Sequence, residues 1–182
     1  MKKIIEIPHE TLRRIASPVT EVDKKFIKLV SELEDTLRKK RNPRGVGLAA
    51  PQINTSQRFF CLNVSSLQTY VNPQITKTSK NKTFGPDPKD PIMEGCLSMP
   101  DLYGPVPRFQ WVETEFQVLE TGKLIQKTAR LESFEARVFQ HELDHLNGIL
   151  FTDYALEYNL PVYKEYTKDK FQEVGHELLK LF

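Results

Sequence analysis

The run Gln140-His141-Glu142-Leu143-Asp144-His145 constrains this chain more than any other stretch, because its H-E-x-x-H spacing has a use only on an α-helix. At about 3.6 residues per turn, the step from His141 to His145 is a little over one turn. Both imidazoles then stand on one face, where their nitrogens can hold one metal ion. Glu142 lies about 100° around the helix, where a carboxylate reaches a metal-bound water rather than the metal, the position a general base requires. With only 4 histidines in 182 residues, a chance match to this pattern has odds on the order of one percent, so coincidence is a weak alternative. The surroundings fit a helix over Ser133–Leu146: Phe134, Val138, His141 and His145 share a face, and Asn147-Gly148 supplies a stop. The motif points to a metal and leaves the reaction open.

A catalytic site of this kind usually has three protein ligands and one open position, so the third ligand separates the classes. The extended protease pattern H-E-x-x-H-x-x-G-x-x-H is met at Gly148 but ends at Phe151, which cannot ligate. A carboxylate from further downstream would have to be Glu165, which stands among alternating charges. Cys96 is the better candidate, since Glu94-Gly95-Cys96-Leu97-Ser98 is a small-residue turn from which a thiolate can project. Cys61 sits inside the apolar run Phe59-Phe60-Cys61-Leu62-Asn63-Val64 and reads as an inert buried thiol. Two cysteines make a disulfide framework improbable.

Around this helix the expected architecture is α+β: mostly antiparallel sheets packed around a central metal-binding helix, with a C-terminal helix, in a single domain over residues 1–182. A hydrophobic content of 39% supplies one core. Apolar spacing through Phe26, Ile27, Val30, Leu33 and Leu37, with Asp23 as cap, predicts a first helix ending in Lys39-Lys40-Arg41. Residues 59–64 read as a buried strand, and residues 111–119 and 123–130 as a hairpin across Thr121-Gly122. Residues 77–91, with Pro86, Pro88, Pro91 and Gly85, read as a loop. Residues 163–181 read as an amphipathic helix through Tyr166, Val174, Leu178 and Leu181. Lys plus Arg number 26 against 24 Asp plus Glu, so the formal charge of +2 gives no footprint for DNA. No apolar run is long enough for a membrane span and the first residues lack a signal-peptide core, so a cytoplasmic protein with no membrane partner is expected.

Taken together, Gly45-Val46-Gly47-Leu48-Ala49-Ala50-Pro51-Gln52, Glu94-Gly95-Cys96-Leu97-Ser98 and Gln140-His141-Glu142-Leu143-Asp144-His145-Leu146-Asn147-Gly148 resemble, in order and spacing, the three signature motifs of the peptide deformylases. The resemblance runs from about Leu12 through Tyr154 and includes Pro105-Val106-Pro107-Arg108. It implies a hydrolase that removes the N-formyl group from the formylmethionine of nascent peptides. Cys96, His141 and His145 would bind the metal, with ferrous iron expected and Zn2+, Ni2+ or Co2+ as substitutes. Glu142 would be the general base, and the Gln52 amide and the backbone N–H of Leu97 would stabilise the oxyanion. Gly45, Gly47 and Gly95 would bare backbone edges for a peptide to add as a strand, and Val46, Ile92, Phe134 and Val138 are candidate walls for the methionine side chain. Glu94, Arg108 and Asp144 resemble an ion-pair group behind the ligands.

The sequence departs from the family pattern at Asp101 and Ser133, where Gly is frequent, and in the length of residues 77–91. Some relatives dock on the ribosome through a C-terminal helix, but the balanced charge of residues 163–182 favours simple packing here. Two other readings compete: a small metallopeptidase, and a metal site that only supports folding. Glu142 and Gln52, which a structural site does not need, argue against the second.

Overall fold

The computed structural model describes residues 2–87 and 89–181, so Pro88 of the expected loop and the chain ends Met1 and Phe182 lie outside it. In chain order the elements are α1 (Lys24–Lys39), β1 (Gly47–Ala49), β2 (Phe59–Asn63), β3 (Leu67–Thr78), β4 (Lys82–Thr83), β5 (Met93–Cys96), β6 (Met99–Pro105), β7 (Arg108–Phe109), β8 (Trp111–Glu120), β9 (Lys123–Glu132), α2 (Ser133–Leu146), α3 (Phe151–Tyr158), β10 (Tyr163–Thr167), β11 (Lys170–Glu173) and α4 (His176–Leu179). Among the described residues the strands form a five-stranded sheet, β1-β2-β3-β8-β9, a four-stranded sheet, β11-β10-β6-β5, and the pair β4-β7, with antiparallel pairing throughout.

The two long helices cover opposite faces of the five-stranded sheet, and β2 shows why its sequence is continuously apolar. Side chains alternate across a strand. Phe59 and Cys61 therefore join the α1 side with Phe26, Leu33 and Leu37, while Phe60 joins Tyr70 and Phe139 on the α2 side. The Phe26 and Phe59 rings meet edge to face at 5.4 Å, as do Phe60 and Phe139 at 5.1 Å. Asp23 caps α1 by accepting the Phe26 N–H at 2.7 Å, and Arg38 and Lys39 in its last turn suit the negative end of the helix dipole. The expected hairpin forms as β8 and β9, with Thr121 and Gly122 at positive φ in the turn between them.

The C-terminal reading needs correction. A helix is present there, but it is only the short α4, and residues 163–173 form the hairpin β10–β11 instead. β10 pairs with β6 through Tyr163↔Tyr103 and Lys164↔Leu102, so a free sheet edge captures the segment. Tyr and Phe suit a pleated surface, and Asp169 sits at φ 61 in the turn, its N–H donating to Glu165 Oε1 at 3.1 Å. The residue that anchors α4 is the fully buried Leu179, whereas Tyr166, Leu178 and Leu181 of the expected apolar face are exposed. The 77–91 loop also carries structure at its start: β3 runs to Thr78, and Lys82–Thr83 pairs with β7. α3 and β3 have no counterpart in the sequence reading; β3 carries Pro73 and register shifts that blur its alternation.

Asp101 and Ser133 both adopt left-handed backbone, with φ 64 and 53. The chain keeps the conformation that glycine holds without strain and places side chains on it.

Candidate metal centre

α2 crosses the five-stranded sheet with Ala136, Val138, Phe139 and Leu146 in the core. The face that carries His141, Glu142 and Val138 looks into a cavity of about 330 Å³. β5 brings Cys96 to the same cavity, and the ligand atoms of Cys96, His141 and His145 lie within 4.8 Å of one another. Cys96 Sγ stands 3.2 Å from His145 Nε2. His141 Nδ1 donates to Glu94 Oε2 at 3.0 Å, which leaves its Nε2 free to ligate. One thiol and two imidazoles converging in this way fit a transition-metal ion with an open position.

Glu142 is buried, and among the described residues its Oε2 has no hydrogen-bond partner. Burial is the main reason its carboxyl is pushed up to about 7, with His141 opposing and Glu94 reinforcing the shift. A Cβ at Gly47 would collide with the Glu142 carboxylate, so only glycine leaves that group room. Burial also holds His145 well below the ordinary imidazole value. Burial acts the same way on His141, but the neighbouring Cys96 sulfur and Glu94 carboxylate outweigh that and raise it.

Gln52 follows β1 in a 3-10 turn over Ala50–Ile53. Its Oε1 accepts the Ala49 N–H at 2.8 Å, which fixes the amide so that Nε2 points to Ser98 Oγ at 3.2 Å and Cys96 Sγ at 3.6 Å. β1 and β5 are edge strands of their sheets, and both line the cavity. Two bare backbone edges therefore flank the metal ligands.

A model of the polypeptide deformylase family matches residues 1–159. The chain belongs to the peptide deformylase family. The enzyme of Halothermothrix orenii is 39% identical over 154 residues, 83% of this chain and 91% of that protein. The crystal structure of the Thermotoga maritima peptide deformylase superposes with a TM-score of 0.72 at 34% identity, covering 85% of this chain and 97% of that one. A Met-Ala-Ser-bound class I type b peptide deformylase from Acinetobacter baumannii superposes at 0.71 with 30% identity, over 85% of this chain and 98% of its own. This chain is thus an enzyme of a metal-dependent family. Among its described residues no helix is long and apolar enough to cross a membrane.

In this member of the family, Gly45, Val46, Gly47, Gln52, Ile92, Gly95, Leu97, Phe134 and Val138 all line the cavity beside Cys96, His141 and Glu142. Behind the ligands, Arg108 binds Glu94 with both ends of its fork, at 3.0 and 2.9 Å, and reaches Asp144 with its remaining nitrogen. Burial alone would raise the Glu94 carboxyl, but Arg108 and the His141 hydrogen bond hold it well below the usual carboxylate range. Glu165 plays no part here; it accepts a backbone N–H in the C-terminal hairpin.

Sequence reasoning missed Arg137, which donates to Glu94 Oε1 and the Val106 carbonyl, both at 2.8 Å. Its signal was available, since it lies four residues before His141 on the same helix face. Ser98 and Tyr154, the latter donating to Asp144 at 3.3 Å, carried none.

Proposed function

We propose that this deformylase removes the N-formyl group from the formylmethionine of newly made polypeptides, leaving formate and a free N-terminus. The observation that carries the reading is the convergence of the Cys96/His141/His145 donor set, the buried carboxyl of Glu142 and the aimed amide of Gln52. The Acinetobacter relative bound to Met-Ala-Ser supports a methionyl peptide as occupant.

Cys96 Sγ, His141 and His145 would hold a divalent ion, ferrous iron by preference, with Zn2+, Ni2+ or Co2+ able to replace it. When bound, the ion supplies a Lewis acid that acidifies water and polarises the formyl oxygen. Glu142 takes the proton of the attacking water and passes it to the departing amine nitrogen as the formyl C–N bond breaks. A carboxyl near pH 7 is suited to both transfers. The Gln52 amide and the Leu97 N–H donate to the oxygen that gains charge. Substrate enters as a strand between the edges of β1 and β5, its methionine side chain against Val46, Ile92, Phe134 and Val138. Arg108, with Glu94 and Asp144, stiffens the ligand helix.

Formate release from formyl-Met-Ala-Ser by iron- or nickel-loaded protein tests this, with Glu142→Ala as the paired control. The variant should keep its metal and lose turnover by about 10²–10⁴-fold. Cleavage of internal peptide bonds, or metal-loaded protein that releases no formate, would overturn the proposal.

A further inference from the structure

The mouth of the cavity carries charge that the hydrolysis does not use. Arg38-Lys39-Lys40-Arg41-Asn42-Pro43-Arg44 puts five cationic side chains into seven positions, at the end of α1 and the turn into β1. Arg38 leans back toward Glu34 and Asp35, at 3.9 and 3.8 Å. Lys39, Lys40, Arg41 and Arg44 take part in no ion pair among the described residues. The turn is ordered by its backbone: Arg41 and Arg44 bridge, and the Gly45 N–H donates to the Lys40 carbonyl at 3.2 Å. Lys40, Pro43 and Arg44 line the same cavity as Cys96 and Glu142. Of the acidic groups on that cavity only Asp101 is exposed, because Glu94 and Glu142 are buried.

We infer that Lys40 and Arg44 select the substrate beyond its first residue, so that formylated peptides with acidic side chains at the second and third positions are preferred. The inference rests on the deformylase reading above. A peptide added between β1 and β5 sends successive side chains to opposite faces. Only the first needs the apolar wall, and the following ones meet the rim. Unpaired cations at the mouth of a low-dielectric cleft focus a positive field on whatever threads it. A nucleic acid is the poorer fit, since Lys40 and Arg44 line the same cavity as Cys96 and Glu142, on the path a peptide between β1 and β5 would take.

The test compares kcat/KM of the metal-loaded enzyme for formyl-Met-Asp-Asp, formyl-Met-Ala-Ala and formyl-Met-Lys-Lys, all as C-terminal amides so that no terminal carboxylate intervenes. The acidic peptide should exceed the basic one by roughly three- to tenfold at low salt, chiefly through KM, and the ratio should shrink as salt is raised. In the double variant Lys40→Glu/Arg44→Glu the order should invert. Equal values for the three peptides, or a ratio unaltered in the variant, would overturn the inference while leaving the deformylase reading intact. Salt-sensitive RNA binding lost in the variant, without peptide discrimination, would likewise overturn it and assign the patch to nucleic acid. No formate from any of the three would sink the deformylase reading and this inference with it.

Discussion

α2 and the C-terminal hairpin are both short segments rich in charge, yet one behaves as its sequence pattern suggests and the other does not. α2 is enclosed: Arg137, Gln140, Glu142 and His145 are buried, Arg137 and Gln140 in hydrogen bonds to neighbouring elements and Glu142 and His145 beside the Cys96 sulfur and the cavity, each with one unpartnered polar atom among the described residues. β10 and β11 are exposed along most of their length. For α2 the local signals and the packing agree. For residues 163–173 the amphipathic spacing was a weak local preference, overridden by an open edge of β6. A pattern is informative in proportion to what it buries.

This contrast should be measurable, and the largest effect is expected behind α2. Arg108→Ala leaves the buried Glu94 and the partly buried Asp144 with less compensation and should cost about 3–5 kcal/mol in urea unfolding, with metal content falling. A loss below about 1 kcal/mol would place α2 and the hairpin on the same footing.

Next comes Glu142. In metal-free protein its folded carboxyl keeps a proton up to about pH 7, while the unfolded chain releases it near the ordinary value of 4.5. Stability from this group is therefore lost as pH rises through that window. Glu142→Gln, neutral at every pH, should raise metal-free stability at pH 8 by about 1–3 kcal/mol and abolish formate release. An unchanged melting temperature at pH 8 would show that the buried carboxyl carries no strain.

At the first residue of α2 the local rule is broken, because Ser133 holds a left-handed φ of 53. Ser133→Gly should gain up to about 1 kcal/mol, read by denaturant midpoint, and a loss would mean that the Ser133 side chain matters more than its backbone.

The smallest effect belongs to the hairpin. Phe171 is 54% exposed and touches Tyr103 edge to face at 5.9 Å. Phe171→Ala should cost less than about 1 kcal/mol. A larger loss would mean that the hairpin supports the groove, since Tyr103 lines the cavity and its ring lies 2.8 Å from where a Gly95 Cβ would be.

The sequence by itself determined α1, β2, the β8–β9 hairpin and α2, where apolar periodicity, the Asp23 cap of α1 and the turn residues point the same way. It also put His141 and His145 on one face, because H-E-x-x-H on a helix is a local geometry, whereas Cys96 comes beside them only through β5. Tertiary structure alone decided what is non-local. Arg137 and Tyr154 join the Glu94–Arg108–Asp144 group only because β5, β7, α2 and α3 meet. The edges of β1 and β5 face one cavity only because two sheets close around α2. The C-terminal segment became a hairpin because β6 had hydrogen bonds to offer, and an edge strand's unpaired groups are invisible in the sequence of the segment that fills them.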